Sequence, residues 1–191
     1  MEQMMTDQPQ RTFSVHPKKF AMWLFIVSIT MIFAAFTSAY IVRQAEGNWF
    51  EFELPMVFYY STAVIVASSA TMFWAMRSAK KDNFSNLKIA IVITAILGAI
   101  FLVLQVIGWQ HLVEVSAYFV GNPSGSFVYV ITGVHGLHVV SAVVYLFVIL
   151  FAVFKMEIHS KALVRLEMCA TYWHFLDILW VYLFFFLLFN R

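Results

Sequence analysis

The sequence predicts an all-α integral membrane protein, a bundle of five transmembrane helices. Of its 191 residues, 62% are hydrophobic and only 12% are charged, whereas a soluble fold carries about 25% charged residues. The apolar residues are concentrated in five long runs that lack the polar–apolar alternation of a membrane β-barrel. The single cysteine, Cys169, provides neither a disulfide framework nor a thiolate metal site.

The first predicted span covers residues 20–42, which run for 23 residues without a charged side chain. A polar segment, residues 1–19, precedes it and ends in Lys18 and Lys19. A secretory signal is the alternative interpretation, because the small residues between Ala35 and Ala39 could mimic a cleavage site. The apolar part of a signal peptide has only about 7 to 15 residues, so a complete membrane crossing is favoured.

The other predicted spans are residues 55–76, 89–109, 127–154 and 166–189. Each is long enough, at about 1.5 Å per residue, to cross a hydrocarbon core about 30 Å thick. Short connections with turn residues separate them, as at Gly47-Asn48, Asp82-Asn83 and residues 121–125. We therefore expect one five-helix domain over residues 20–191. No internal repeat is visible, which gives no support to a transporter built from repeats.

Lys and Arg are distributed unequally between the two ends of the predicted bundle, and this asymmetry predicts its orientation. One end carries ten of them: Arg11, Lys18, Lys19, Arg77, Lys80, Lys81, Lys88, Lys155, Lys161 and Arg165. The other end carries only Arg43 and Arg191. In a bacterial plasma membrane this pattern puts the N-terminal segment in the cytoplasm and the C-terminus in the periplasm.

Five ionisable side chains lie inside the last two predicted spans and are the candidate functional residues. They are His135 and His138 in the fourth span, and Glu167, His174 and Asp177 in the fifth. An Asp at the centre of a membrane helix costs about 2.5 to 3.5 kcal/mol on insertion scales, so such groups are normally paired and face the bundle interior. The spacing of Glu167, His174 and Asp177 puts them on one side of the fifth helix.

We expect His138 and Asp177 to hydrogen-bond to each other, because both lie near the midpoints of antiparallel neighbouring spans. Such a bond would offset much of the desolvation of both groups. Gly133 and Gly136 lie next to the fourth-span histidines and predict close approach of a neighbouring helix. Small residues repeated in the first two spans also indicate helix packing. These are Ala34, Ala35, Ser38 and Ala39, followed by Ala63, Ala67 and Ala70.

Two functional alternatives remain open from the residues alone. His135 and His138 could ligate haem or a metal ion, since neutral imidazole is a common ligand, although no third His or Cys falls at that depth on the same face. His174 and Asp177 could form part of a proton relay. The first three spans, however, offer a relay only Ser, Thr and Gln105.

Two segments carry a family resemblance. Residues 127–139, Phe-Val-Tyr-Val-Ile-Thr-Gly-Val-His-Gly-Leu-His-Val, resemble a Thr-Gly-x-His-Gly-x-His-Val signature. Residues 167–180 resemble a Glu-x4-Tyr-Trp-His-Phe-x-Asp-x2-Trp signature. Both are typical of subunit III of the haem-copper terminal oxidases, the cytochrome c oxidase and quinol oxidase group. The likeness extends over residues 16–191 and is to the short, five-helix bacterial form.

The resemblance implies a subunit without an active site, haem, copper or other metal of its own. Its haem and copper would belong to partner subunits of a complex that reduces oxygen to water. The chain would pack mainly against the catalytic subunit I, with subunit II in the same complex, bind phospholipid and support proton uptake. The buried His, Glu and Asp residues would then be mainly architectural. A quinol oxidase or the related accessory subunit of nitric oxide reductase stays open as an alternative.

Two positions depart from the family pattern. Ile29 stands where the family usually carries a membrane-buried Glu, and Gly108 replaces a second acid in the segment Gln105-Val-Ile-Gly-Trp109. Both losses favour a scaffold over a proton conductor. The two helices that the short form lacks line a lipid-filled cleft in the longer form. We therefore expect lipid or a helix of another subunit on this surface, with the head-group anchors Lys155, Lys161 and Arg165.

Overall fold

The computed structural model describes residues 17–154 and 160–190, except the side chains of residues 152, 154 and 160–163. Within those ranges every regular element is a helix. The helices are α1 (Pro17–Ala45), α2 (Val57–Lys80), α3 (Phe84–Glu114), α4 (Pro123–Phe154) and α5 (Ser160–Phe189). All five contain a stretch long and apolar enough to cross a membrane. The predicted fold class is confirmed.

The predicted spans coincide closely with these helices. Four of them lie entirely within a helix. The predicted span 55–76 begins two residues before the start of α2 and ends four residues before the end of α2. The helices are longer than the apolar runs, because backbone hydrogen bonding continues into the polar ends that composition alone excludes. In the loop before α4, Asn122 caps the helix: its Oδ1 accepts hydrogen bonds from the Ser124 backbone N–H at 3.0 Å and from the Ser124 hydroxyl at 2.8 Å.

Four helices form a ring and the fifth lies outside it. The ring runs α2–α3–α4–α5 and closes by contact between α5 and α2. Helix α1 packs against α4 and α5 and makes no backbone-level contact with α2 or α3. A cleft therefore separates α1 from α2, with α5 as its floor. Because successive helices alternate in direction, the start of α1, the end of α2 and the start of α5 lie at the same end, here called the lysine-rich end.

Aromatic rings fill the centre of the four-helix ring. Trp180 of α5 is fully buried and contacts one ring from each of the other three helices. Its ring centroid lies 5.0 Å from Phe101 of α3, 5.0 Å from His135 of α4 and 6.3 Å from Phe58 of α2. Offset and edge-to-face ring pairs of this kind contribute about 0.5–1.5 kcal/mol each beyond their buried area. Trp180 thus joins all four helices at one depth.

The close approach predicted at Gly133 and Gly136 occurs at other glycines. A Cβ at Gly133 or Gly136 would meet nothing nearer than 3.8 Å, an ordinary contact. A Cβ at Gly98 would lie 2.7 Å from Trp173, and one at Gly108 would lie 3.0 Å from Phe58. Gly98 and Gly108 are both on α3, where large rings from α5 and α2 pack directly against the helix backbone.

Candidate functional site

His135 is the most deeply buried of the candidate residues. Its ring is fully buried, and neither ring nitrogen has a hydrogen-bond partner. Besides Trp180, the rings of Phe33 and Phe101 lie edge-on to it, with centroids at 6.2 Å and 5.9 Å. The imidazole therefore occupies an aromatic environment and behaves as part of the core. Because the side chain is fully buried, neither nitrogen is accessible to an external ligand.

The predicted bond between His138 and Asp177 does not form. His138 Nδ1 donates to the Val134 carbonyl oxygen of its own helix at 2.7 Å, and the ring lies beside Phe33 of α1 at 5.8 Å. Asp177 lies instead beside Ser69 of α2. Helix α5 is rotated so that Asp177 faces α2, while His138 faces α1. Similar positions along antiparallel helices are therefore not enough for two side chains to face each other.

A second polar group, absent from the prediction, forms between α2 and α5. Ser69 Oγ and His174 Nδ1 share a hydrogen bond of 2.6 Å, and the same hydroxyl lies beside the carboxyl group of Asp177. Asp177 is only 4% exposed, and its Oδ2 atom has no hydrogen-bond partner. We call Ser69, His174 and Asp177 the α2–α5 polar triad. The sequence held no signal for Ser69, since one Ser among several in α2 has no distinctive spacing.

Glu167 is the remaining candidate and forms an ion pair at the lysine-rich end. The Lys19 ammonium donates to Glu167 Oε2 at 2.9 Å, and the two side chains are 42% and 35% exposed. The pair joins α1 to α5. Exposed ion pairs contribute only about 0–1 kcal/mol, so this contact positions α1 more than it stabilises the bundle.

Tryptophan indoles and small hydroxyls make the principal polar contacts between helices. Three indole N–H groups donate to a hydroxyl oxygen at 3.0 Å: Trp109 to Thr132, Trp173 to Ser68 and Trp180 to Thr62. The first pair joins α3 to α4 and the other two join α5 to α2. Sequence reasoning missed these contacts. The seven-residue separation of Trp173 and Trp180 does place them on one face of α5, which was the available signal.

The cleft between α1 and α2 contains a cavity of about 440 Å³ at the lysine-rich end. Its mouth carries Lys19, Lys80 and Glu167, and its floor is formed by Thr171 and His174 of α5. Apolar side chains of α1 and α2 form the walls: Met22, Trp23, Phe73 and Met76. The polar triad thus lies directly beneath a groove that opens toward one membrane surface.

The small-residue stripes of the first two spans are not buried by the described part of the chain. All seven residues of the stripes are exposed on α1 and α2. Of the predicted lipid head-group anchors, Lys155 and the side chain of Lys161 lie outside the described residues, and Arg165 is exposed at the start of α5. In the part of the chain that the structure describes, no three His, Cys, Asp or Glu side chains converge as a metal site.

Known proteins are similar to this chain over nearly its whole length. The family model described as cytochrome c oxidase subunit III matches residues 4–190. The chain belongs to the cytochrome c oxidase subunit III family. Cytochrome c oxidase subunit 3 of Bacillus sp. (strain PS3) is 27% identical over 183 residues, which cover 92% of this chain and 88% of that protein. The Rattus norvegicus protein of the same name is 31% identical over 180 residues, covering 87% and 67%.

Family membership and the five helices together make this a multi-pass membrane protein that belongs to an oxidase complex. The two departures from the family pattern are both buried. The side chain of Ile29, on α1, is only 1% exposed. Gly108 leaves room for the Phe58 ring against the α3 backbone, so a carboxylate there would collide with it. Apolar packing thus occupies both positions where the family carries acids.

Proposed function

We propose that this chain is a non-catalytic accessory subunit III of an aerobic respiratory haem-copper oxidase. It stabilises the catalytic subunit I, lies in the same complex as subunit II, binds phospholipid and supports proton uptake while the complex reduces oxygen to water. Haem and copper reside in the partner subunits. The observation that carries this proposal is that the candidate His, Asp and Glu side chains of the described residues contact different parts of the bundle, and no three of them converge on one site.

The cross-helix contacts support a scaffold function. Three indole–hydroxyl pairs and the hydrogen bond of 2.9 Å between Ser141 and Tyr172 link adjacent helices. In a bilayer such bonds contribute about 0.6 kcal/mol each on average. Together these four bonds fix the helices relative to one another.

The exposed small residues support association with other membrane subunits. Small side chains let helix backbones approach closely, and this is a principal source of helix association in lipid. In this chain the stripes of α1 and α2 are left uncovered, while the internal packing uses large rings. A helix of subunit I that packs on these stripes would complete the contact that the sequence pattern predicts.

The charge distribution supports an N-terminus on the cytoplasmic side of a bacterial plasma membrane, by the positive-inside rule. Among described residues, the lysine-rich end carries Lys18, Lys19, Arg77, Lys80, Lys81, Lys88 and Arg165. Arg43 lies at the opposite end. An exposed Arg165 at the cytoplasmic surface suits an anionic phospholipid head group, as do Lys155 and Lys161 by sequence position.

Affinity purification of the tagged chain in mild detergent tests this proposal. We expect a haem-copper subunit I to co-purify, and the electron donor, cytochrome c or quinol, to be identified from the other subunits present. The separated chain should show no haem absorption band. Isolation of the native chain always on its own, or a haem band in the separated chain, would contradict the proposal. Nitric oxide reductase subunits in its place would identify the related accessory subunit instead.

A further inference from the structure

The cleft between α1 and α2 ends on polar groups that lack hydrogen-bond partners. His174 lies on its floor and uses Nδ1 for Ser69. Its other ring nitrogen, Nε2, has no protein partner among the described residues. Just beneath, Asp177 Oδ2 is buried without a partner. At membrane depth an unsatisfied polar group costs several kcal/mol, so an acyl chain is a poor occupant of this part of the cleft.

The cleft offers a continuous polar path to these groups from the lysine-rich end. Glu167, Thr171 and His174 are spaced four and three residues apart along α5, and all three line the cavity. Lys19 and Lys80 lie at its mouth. The volume of about 440 Å³ is large beside the roughly 30 Å³ that one water occupies in the liquid. Space, polar lining and an open mouth are therefore all present.

The path stops at a definite depth. The next residue on the same face of α5 is Ile178, one turn beyond His174, and it is 70% exposed. Farther along the face lie Tyr182 and Phe185, which are also exposed. The floor of the cleft thus changes from polar to apolar between His174 and Ile178, near the middle of the membrane.

We propose that the lysine-rich half of the α1–α2 cleft is a water-filled crevice that ends at the α2–α5 polar triad. Its ligand is water, which hydrogen-bonds His174 Nε2 and brings protons from the cytoplasmic surface to the triad. The inference rests on the proposed function, to which it adds a route by which this subunit can exchange protons with one side of the membrane only. Among the described residues, the same face of α5 continues beyond the triad as Ile178, Tyr182 and Phe185, so the crevice stores and exchanges protons without conducting them across.

Cysteine accessibility in the assembled complex tests this inference. The native Cys169 is buried and is first replaced by Ala to remove its background. In that chain Thr171→Cys places a thiol in the crevice, and Ile178→Cys places one on the same helix face beyond its end. Only a hydrated thiol forms the reactive thiolate readily, so we expect a charged, membrane-impermeant maleimide to label Thr171→Cys at least about tenfold faster than Ile178→Cys.

The outcomes separate the possible occupants of the cleft. Labelling of Thr171→Cys by the charged reagent in sealed vesicles should occur from the cytoplasmic side. Labelling only by neutral N-ethylmaleimide would show a lipid-filled cleft and overturn the inference. Labelling by neither reagent would show a covering partner helix, and labelling from the periplasmic side alone would place the mouth at the wrong surface; both also overturn it. Co-purification with subunit I, measured on the same samples, reports separately on the proposed function and on folding.

Discussion

Individual residues in this bundle are governed by the cost of leaving a polar atom unpaired in a membrane. Ser68 illustrates the usual solution: its hydroxyl accepts from the Trp173 indole at 3.0 Å and donates to the Ile65 carbonyl at 2.8 Å. His135 is one of several exceptions, which also include Asp177: its ring is enclosed by other rings, and neither nitrogen has a hydrogen-bond partner. The same physical rule therefore predicts opposite effects of removing a polar group at Ser68 and at His135.

Substitution Ser68→Ala strands the buried Trp173 indole N–H. We expect the free energy of unfolding to fall by about 1 kcal/mol, the range for one lost interhelical bond that leaves its donor unpaired. Unfolding in a mixed detergent series, monitored by tryptophan fluorescence, measures this change. Ser38→Ala, at an exposed position of α1, is the matched control and should change stability little. Equal effects of the two substitutions would refute the importance of the indole pair.

Substitution His135→Phe removes two unpaired nitrogens and keeps a ring of similar shape. Replacing a buried unpaired polar group by an apolar one is neutral or stabilising, so we expect unchanged or higher stability and an unchanged haem spectrum of the complex. His135→Ala, which leaves a cavity, should cost about 3 kcal/mol in the same assay. Loss of a haem signal on His135→Phe would instead revive a ligand role for this residue.

The sequence singles out the costly residues by type and by position within the spans, but it could not identify their partners. The length of an apolar run determines the depth of each residue to about one helical turn. The rotation of a helix about its own axis depends on packing, which the run does not reveal. Asp177 therefore lies beside Ser69 and not beside His138. A carbonyl one turn away also competes for an imidazole N–H, and at His138 that local partner is used.

At the scale of whole helices, prediction was accurate for position and weaker for packing. The spans were predictable because each must cross the same hydrocarbon thickness. Which glycine meets a neighbour was not, since it depends on a large ring arriving from another helix. Trp173 of α5 reaches across the bundle to the backbone of α3 at Gly98, a contact between helices that are not adjacent in the ring.

Substitution Gly98→Ala should destabilise the bundle, because its Cβ would lie 2.7 Å from the Trp173 ring. Overpacking of this kind costs about 1–3 kcal/mol. Gly136→Ala is the control on α4, since its Cβ would lie 4.0 Å from Leu102 and the lower backbone entropy of Ala favours a helix. Thermal unfolding in detergent distinguishes them. A destabilised Gly136→Ala with an unaffected Gly98→Ala would contradict the packing described.

At the scale of the whole molecule, the bundle has a closed core but leaves helix-packing surfaces exposed. Four helices close a ring around Trp180, while α1 contacts only α4 and α5. The small-residue stripes were predicted to pack helices together, and in the described part of the chain all of their residues are exposed. The sequence pattern cannot say whether a stripe meets a helix of its own chain or one of another subunit. Because the stripes are exposed, a helix of another subunit can pack on them.

Substitution Ala67→Leu would enlarge a side chain in the centre of the α2 stripe. We expect it to reduce the recovery of subunit I with the tagged chain severalfold, because close backbone approach is lost. Val66→Leu changes the adjacent position, which is also exposed, and should leave recovery unchanged. Quantitative mass spectrometry of the purified complexes measures both. Equal recovery in the two variants would show that the α2 stripe faces lipid.

The central claim is that this chain supports an oxidase without taking part in its redox chemistry. Oxygen consumption by the oxidase purified from cells that lack the chain tests it most directly. We expect the remaining complex to keep its full haem content and to reduce oxygen, with lower yield and faster loss of activity during turnover. A complex that lacks one haem, or that cannot reduce oxygen from the first turnover, would contradict the claim.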